Sequence, residues 1–324
     1  MKIARALLGL MAGTVLALAA QGASAEVETI RVAALRADTM IRFKQAEEAG
    51  YLAKEGLRVE ISYLGSGPAV MSALVSGSAD VGYSAVVPAI FAHAAGQPVR
   101  MVMTLATESG KPGEQGTWIG VKGSSPIKTV AGLKGHTVAI NASGALCELM
   151  VRDQLAKAGV SWDDVKKIVV PFPQMQAALE LGNADAACFA EPFFAAASVA
   201  PKVQARALTA GMLAALSPDR RIAEDGLFVT TAWGEKHRDA LVRLEHALTQ
   251  ATDDFKKDPE RYRSMMVKEF KLDPAVGKKV AIYFAFGGVA TDAGDLQPIL
   301  DAMLHYGMLA KPMSAESFIL PISK

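Results

Sequence analysis

A handful of short stretches gathers side chains suited to gripping a small molecule without reacting with it. They are Gly65-Ser66-Gly67, Tyr83-Ser84, Asn141 with Ser143-Gly144, Phe189 with Glu191, and Arg36 with Asp38. Glycine and hydroxyl residues at a strand-to-helix turn leave backbone N–H groups open to an acceptor. Tyr83 and Phe189 could clamp an apolar or flat body, and Arg36 could pair with a carboxylate or sulfonate. Each has a plainer alternative: a tight turn for the glycines, core packing for the aromatics, a solvated surface position for Arg36. Glu191 is discordant. Inside a cleft it would repel a simple anion and suit an amine or an N–H-rich solute, but Glu191-Pro192 also reads as a helix start, where a carboxylate is favoured, and that reading is preferred. Bond-making chemistry is poorly served. The five histidines (His93, His136, His237, His246, His305) show no metal-ligand spacing, and no Ser-His-Asp or zinc signature stands out. Gly65-Ser66-Gly67 lacks the following Gly-Lys-Ser/Thr of a nucleotide-binding loop. No catalytic residue, metal or cofactor is expected.

These residues need elements to hold them, and the chain spells those elements twice. "TIRVAAL" (29–35) is β-like, "MIRFKQAEEAGYLAKEG" (40–56) has helical spacing, and "LRVEISYL" (57–64) alternates as a strand. "AVMSALVSG" follows as a helix with Pro68 at its start, then the strand "VGYS" and the apolar helix "AVVPAIFAHAAG". The same order recurs in "HTVAIN" (136–141), "ALCELMVRDQLAKAG" (145–159), "KIVVPF" (167–172), "QMQAALELG" and "ADAACFA". Within it, Ala73-Leu74, Gly77 and Ala79-Asp80 match Ala178-Leu179, Gly182 and Ala184-Asp185, and Leu52-Ala53-Lys54-x-Gly56 matches Leu155-Ala156-Lys157-x-Gly159. A repeated β-α-β-α-β unit predicts two similar α/β lobes with mainly parallel sheets. In such sheets ligands bind beyond the carboxyl ends of the strands. The loops concerned are 35–39, 65–68, 83–85, 141–144 and 189–191, which carry every residue named at the outset. Convergence of their helix starts predicts a small solute with an acidic or strongly accepting group. "TWIGVKG" (117–123) and "GLFVTTAW" (226–233) read as strands at the lobe boundaries. As hinge crossings they would divide the chain into lobe I (26–116 and 227–324) and lobe II (117–226). The tail from Ala232 is helical and would return to the first lobe.

Composition agrees with an ordered, well-buried protein: 51% of residues are hydrophobic and 21% charged. A formal net charge of +1 gives no reason to expect a nucleic-acid partner. The first 25 residues pair a basic start (Lys2, Arg5) with an apolar run and Ala23-Ser24-Ala25, the pattern of an export signal cleaved after Ala25. Periplasmic residence follows, and no later segment is long and apolar enough to span a bilayer. Export makes a Cys147–Cys188 disulfide feasible. Both cysteines lie in apolar surroundings, however, and two unpaired buried thiols are the favoured reading.

Together the export signal, "YLGSGPAVMSALVSGSADVGYSAVVPAIFAHAAG", "VAGLKGHTVAI" and "DAACFAEPFFAA" resemble the periplasmic substrate-binding proteins of ABC importers. The resembling branch is the SsuA/THI5-like (NMT1-like) group of sulfonate, taurine, nitrate and thiamine-pyrimidine binders, and the likeness runs over about residues 29 to 300. It implies the type II periplasmic binding protein fold: two lobes joined by hinge strands, closing on a small, anionic or zwitterionic organic solute. It also implies a monomer that delivers to a membrane permease. A pyrimidine-precursor binder, a sensor for a membrane kinase and a THI5-like enzyme are the alternatives. The enzymes rely on a cysteine-rich motif that Cys147 and Cys188, far apart, do not reproduce.

Overall fold

The computed structural model describes residues 27–111, 113–282 and 291–322. The expected export signal, 1–25, lies outside the described residues. Among the described residues ten strands form two five-stranded sheets. The first sheet takes β1 (Glu28–Leu35), β2 (Leu57–Leu64), β3 (Val81–Ala85), β4 (Val99–Glu108) and, from much later in the chain, β10 (Ile222–Thr230), in the order β2-β1-β3-β10-β4. The second takes β5 (Thr117–Val121), β6 (Thr137–Ile140), β7 (Lys166–Val169), β8 (Ala186–Ala190) and β9 (Arg206–Ala210), in the order β7-β6-β8-β5-β9. The two orders are equivalent. In each, three parallel strands are followed by an antiparallel one, β10 or β5, which arrives from the other half of the chain. The chain leaves the first sheet after Glu108 and enters the second at Thr117, and it returns between Ala210 and Ile222.

Helices α1 (Ile41–Glu48), α2 (Tyr51–Lys54), α3 (Gly67–Val75) and α4 (Val86–Ala94) serve the first sheet, and α5 (Leu146–Lys157), α6 (Phe172–Leu181) and α7 (Phe193–Val199) the second. The repeated Gly-x-Ala-Asp has a structural cause. Asp80 accepts the backbone N–H of Arg31 at 2.9 Å while its own N–H donates to Arg31 O at 2.9 Å; Asp185 does the same with Thr137, at 2.8 Å each way. Each aspartate thus clamps the start of its third strand to the first strand of its unit. Gly77 and Gly182 precede them with φ of +73° and +74°, closing α3 and α6 with left-handed residues that a Cβ would strain.

After β10 come α8 (Thr231–Lys236), the 20-residue α9 (Arg238–Lys257) and α10 (Pro259–Phe270). Leu241, Leu244, Ala247, Leu248 and Ala251 of α9 form one buried stripe against Ile30, Val32 and Leu57 of the first sheet. This is the expected return of the tail, with one addition: α10 and the segment after it also reach the second half, where Phe270 meets Phe193 edge-on. Among the described residues no helix is long and apolar enough to cross a membrane.

Two expectations need correction. Cys147 and Cys188 are joined in a disulfide, because the start of α5 lies over β8 with the two Cα atoms 5.9 Å apart. And β10 begins at Ile222, four residues before the expected strand, while β4 and β9 went unpredicted. β4 is buried along nearly its whole length, so its residues show no alternation to read.

Both passages between the sheets hang on one carboxyl group. Glu108, at the end of β4, is fully buried. Its Oε1 accepts from Gly116 N at 2.9 Å, Thr117 N at 3.2 Å and Thr117 Oγ1 at 3.1 Å, and its Oε2 from Leu213 N at 2.6 Å and Ala214 N at 3.3 Å.

Candidate functional site

The carboxyl ends of the parallel strands open on a narrow cavity of about 40 Å³. Four of the five loops place side chains or backbone in its wall: Leu35, Ala37 and Asp38 after β1, Gly67 at the head of α3, Tyr83, Ser84 and Ala85 of β3, and Asn141 after β6. The fifth adds Phe189 and Ala190 of β8. Gly67 is there for a spatial reason, since a Cβ on it would come within 2.5 Å of Ser84 Oγ and of the Pro88 ring.

Of the residues singled out in the sequence, the structure therefore brings together Asp38, Gly67, Tyr83, Ser84, Asn141 and Phe189. It places the others elsewhere. Arg36 lies between Tyr63 and Phe270, its guanidinium 5.4 and 5.3 Å from their ring centres, and donates to Glu269 O at 3.0 Å. Gly65 is exposed, and Ser66 caps α3 through Ala69 N. Ser143 is exposed, and Gly144 donates to Glu148 and lines an outer apolar groove with Phe91. Glu191 turns away to accept from Ala195 N at 3.2 Å and Ala281 N at 3.0 Å, the helix-start role. Burial pushes the Glu191 carboxyl up to about 8.

Sequence reading missed Thr117, the start of α5 and, above all, the acidic pair Glu224-Asp225, all of which line the cavity. A strand should send neighbours to opposite faces. Here the ladder steps from Ala223↔Thr107 to Asp225↔Ala106, leaving Glu224 as an extra residue, and this bulge lets both acids reach the same cavity. Two adjacent acids inside the apolar run "RIAEDGLFVTT" were the available signal.

Asp225 Oδ2 accepts from Tyr83 Oη at 2.5 Å and Thr39 Oγ1 at 2.9 Å, and Asp38 Oδ2 accepts from Tyr262 Oη at 2.8 Å. Burial first, then the neighbouring Asp225, raises Asp38 to about 7. Burial likewise raises Asp225, and it lifts Glu224 well above the usual carboxylate range with Asp225, Glu108 and Asp38 adding to the effect. Behind these acids lies the fully buried Arg42. Around them the wall is apolar, with Leu146 and Met150 of α5, Phe172 and Phe189. Trp118 packs instead of facing the cavity, stacked on Phe194 at 4.9 Å. Among the described residues no group of three or more His, Cys, Asp or Glu could hold a metal ion.

This architecture has known counterparts. Residues 40–262 match the NMT1/THI5 like family. The chain belongs to that family. It is 37% identical over 132 residues to an Escherichia coli (strain K12) protein named for binding aliphatic sulfonates; that match spans 41% of this chain and 40% of the relative. Two solved structures share the fold over most of both chains. The alkanesulfonate-binding protein SsuA from Xanthomonas axonopodis pv. citri, bound to MOPS, has a TM-score of 0.76 and 20% identity, with 90% of this chain and 98% of that one covered. The periplasmic nitrate-binding protein NrtA from Synechocystis PCC 6803 has a TM-score of 0.70 and 19% identity, with 90% and 85% covered. The expected periplasmic binding protein fold is therefore present.

Proposed function

We propose that this protein is the exported solute-binding component of an ABC-type importer, with lobe I built on the first sheet, β10 (Ile222–Thr230) included, and lobe II on the second, which moves the expected boundary at 226/227 back to the passage at 211–221. It captures a small organic solute between the lobes, closes over it by bending at the two passages, and hands it unchanged to a membrane permease. The observation that carries this reading is the convergence of five strand-end loops, drawn from both sheets, on one cavity. Nothing in that wall pairs a nucleophile with a base, and binding with release is the activity the geometry serves. The enzyme alternative draws no support from the cysteines, since Cys147 and Cys188 are committed to each other.

Equilibrium dialysis of the purified protein against a mixed metabolite extract tests the proposal, with the bound fraction identified by mass spectrometry. One compound should be enriched toward one equivalent and recovered chemically intact after prolonged incubation. Enrichment of none by a demonstrably folded sample, or conversion of the captured compound, would overturn it.

A further inference from the structure

The polar atoms of the cavity are out of balance. Ser84 Oγ, Asn141 Oδ1, Glu224 Oε2 and Asp225 Oδ1 are all buried without a hydrogen-bond partner. Their residues are 0%, 7%, 6% and 5% exposed. All four line the same cavity. A buried polar group left unmatched costs about 1–3 kcal/mol, so four at one wall mark where a ligand supplies the missing partners. The polarity of those partners can be read. A hydroxyl, and an amide by flipping, can serve a donor or an acceptor; a protonated carboxyl also has one donor, whereas a carboxylate ionised against a bound cation only accepts. The two carboxyls set the sign.

Building on the receptor reading above, we propose that the solute carries an ammonium or amidinium head whose N–H groups pair with Glu224 and Asp225 and reach Ser84 and Asn141. Three of these residues belong to the first sheet and Asn141 follows β6 of the second, so one cationic head bridges both lobes. The rest of the solute lies on Leu146, Met150, Phe172 and Phe189. A simple anion could be held only while these carboxyls keep their protons. The helix starts at Gly67, Ala85 and Ala145 each offer about half a positive charge. Against them stand the carboxyl groups of Asp38, Glu224 and Asp225, with Arg42 as the near cation. A zwitterion such as an aminosulfonate satisfies the same head-group rule.

The groups facing Glu224 and Asp225 are Asp38, Glu108, Arg42 and Tyr83, with Tyr262 and Glu191 facing Asp38. Burial raises the pKa of Asp38, Glu224 and Asp225, so a cation that pairs with them displaces protons held more tightly than by free carboxyl groups. Affinity for a cation then rises with pH, while affinity for an anion would rise as pH falls.

The test is calorimetric titration of the full chain with probes matched in pairs: taurine against ethanesulfonate, propylamine against propionate, and acetamidine against nitrate. In at least one pair the N–H-bearing member should bind at least tenfold tighter than its counterpart, and tighter at pH 8.5 than at pH 6. Glu224→Gln should weaken it at least tenfold, and Ser84→Ala gives a second variant should Glu224→Gln not fold. Preference for the counterpart, or affinity that grows as pH falls, would overturn the head-group assignment while leaving the receptor reading intact. Binding of no probe at all would also overturn that assignment, and the receptor reading would then stand or fall by the dialysis result.

Discussion

Tyr83 Oη donates to Asp225 Oδ2 at 2.5 Å across two antiparallel neighbours, β3 and β10, whose register sets Leu227 opposite Tyr83. The bond joins an early strand of the first half to the strand that returns last to its sheet. It also orients the Asp225 carboxyl, leaving Oδ1 for the cavity. Tyr83→Phe removes a donor from a buried acid, and stability should fall by about 1–3 kcal/mol in urea unfolding. An unchanged midpoint would show that the bond contributes nothing net.

Gly67→Ala puts a methyl group where Ser84 and Pro88 already are. The head of α3 must shift, closing the cavity or displacing Ser84. Solute affinity, read by calorimetry, should drop at least tenfold in a protein with an unchanged far-ultraviolet dichroism spectrum. Retained affinity would place the solute away from Gly67.

Asp38 and Glu191 hold protons in the folded state up to about pH 7 and 8, well above the ordinary carboxylate range. The unfolded chain releases them earlier, so the folded state binds more protons across that window. Their contribution to stability is greatest in mild acid and is lost as pH rises from about 4 toward 8, by up to about 1.4 kcal/mol per pH unit for each group. Urea midpoints of the solute-free protein at pH 5 and 8 measure the decline, and Glu191→Gln should flatten it. Parallel pH curves for variant and wild type would contradict the assignment.

The disulfide closes a long loop, with its cysteines 41 positions apart. Chain entropy assigns such a link about 4 kcal/mol. The Cys147→Ala/Cys188→Ala double variant should lose about 2–4 kcal/mol in denaturant unfolding, and a reductant should have no further effect on it.

Asp80 and Asp185 make equivalent bonds in the two sheets. Replacing either with alanine strands a backbone N–H on the first strand of its unit, and each variant should cost about 1–3 kcal/mol. Asp80 carries an added bidentate pair with Arg31, at 2.9 and 2.6 Å, but Arg31 is half exposed, so that pair should add little. A loss at one aspartate and none at the other would break the equivalence.

The architecture was legible because repetition shows in sequence: two Gly-x-Ala-Asp turns and two Lys-x-Gly helix ends fix strands and helices in both halves. The same logic located the loops, and Asp38, Gly67, Tyr83, Ser84, Asn141 and Phe189 do meet at one cavity. What stayed hidden depended on tertiary packing. Arg36 was drawn off by Tyr63, Phe270 and Glu269, partners remote in sequence. Glu224-Asp225 sit on a strand that belongs to the first sheet only after the chain has crossed over and back. The bulge that aims both of them inward depends on its pairing with β4.

Glu108 holds both linking spans through a single side chain, so neither can yield by itself. Any bending between the halves, as proposed above, would turn about this side chain, whose five hydrogen bonds tie both spans at once. In the receptor reading proposed above, capture and release would be opposite strokes along a single arc, with the position of that pin setting how wide the mouth can gape.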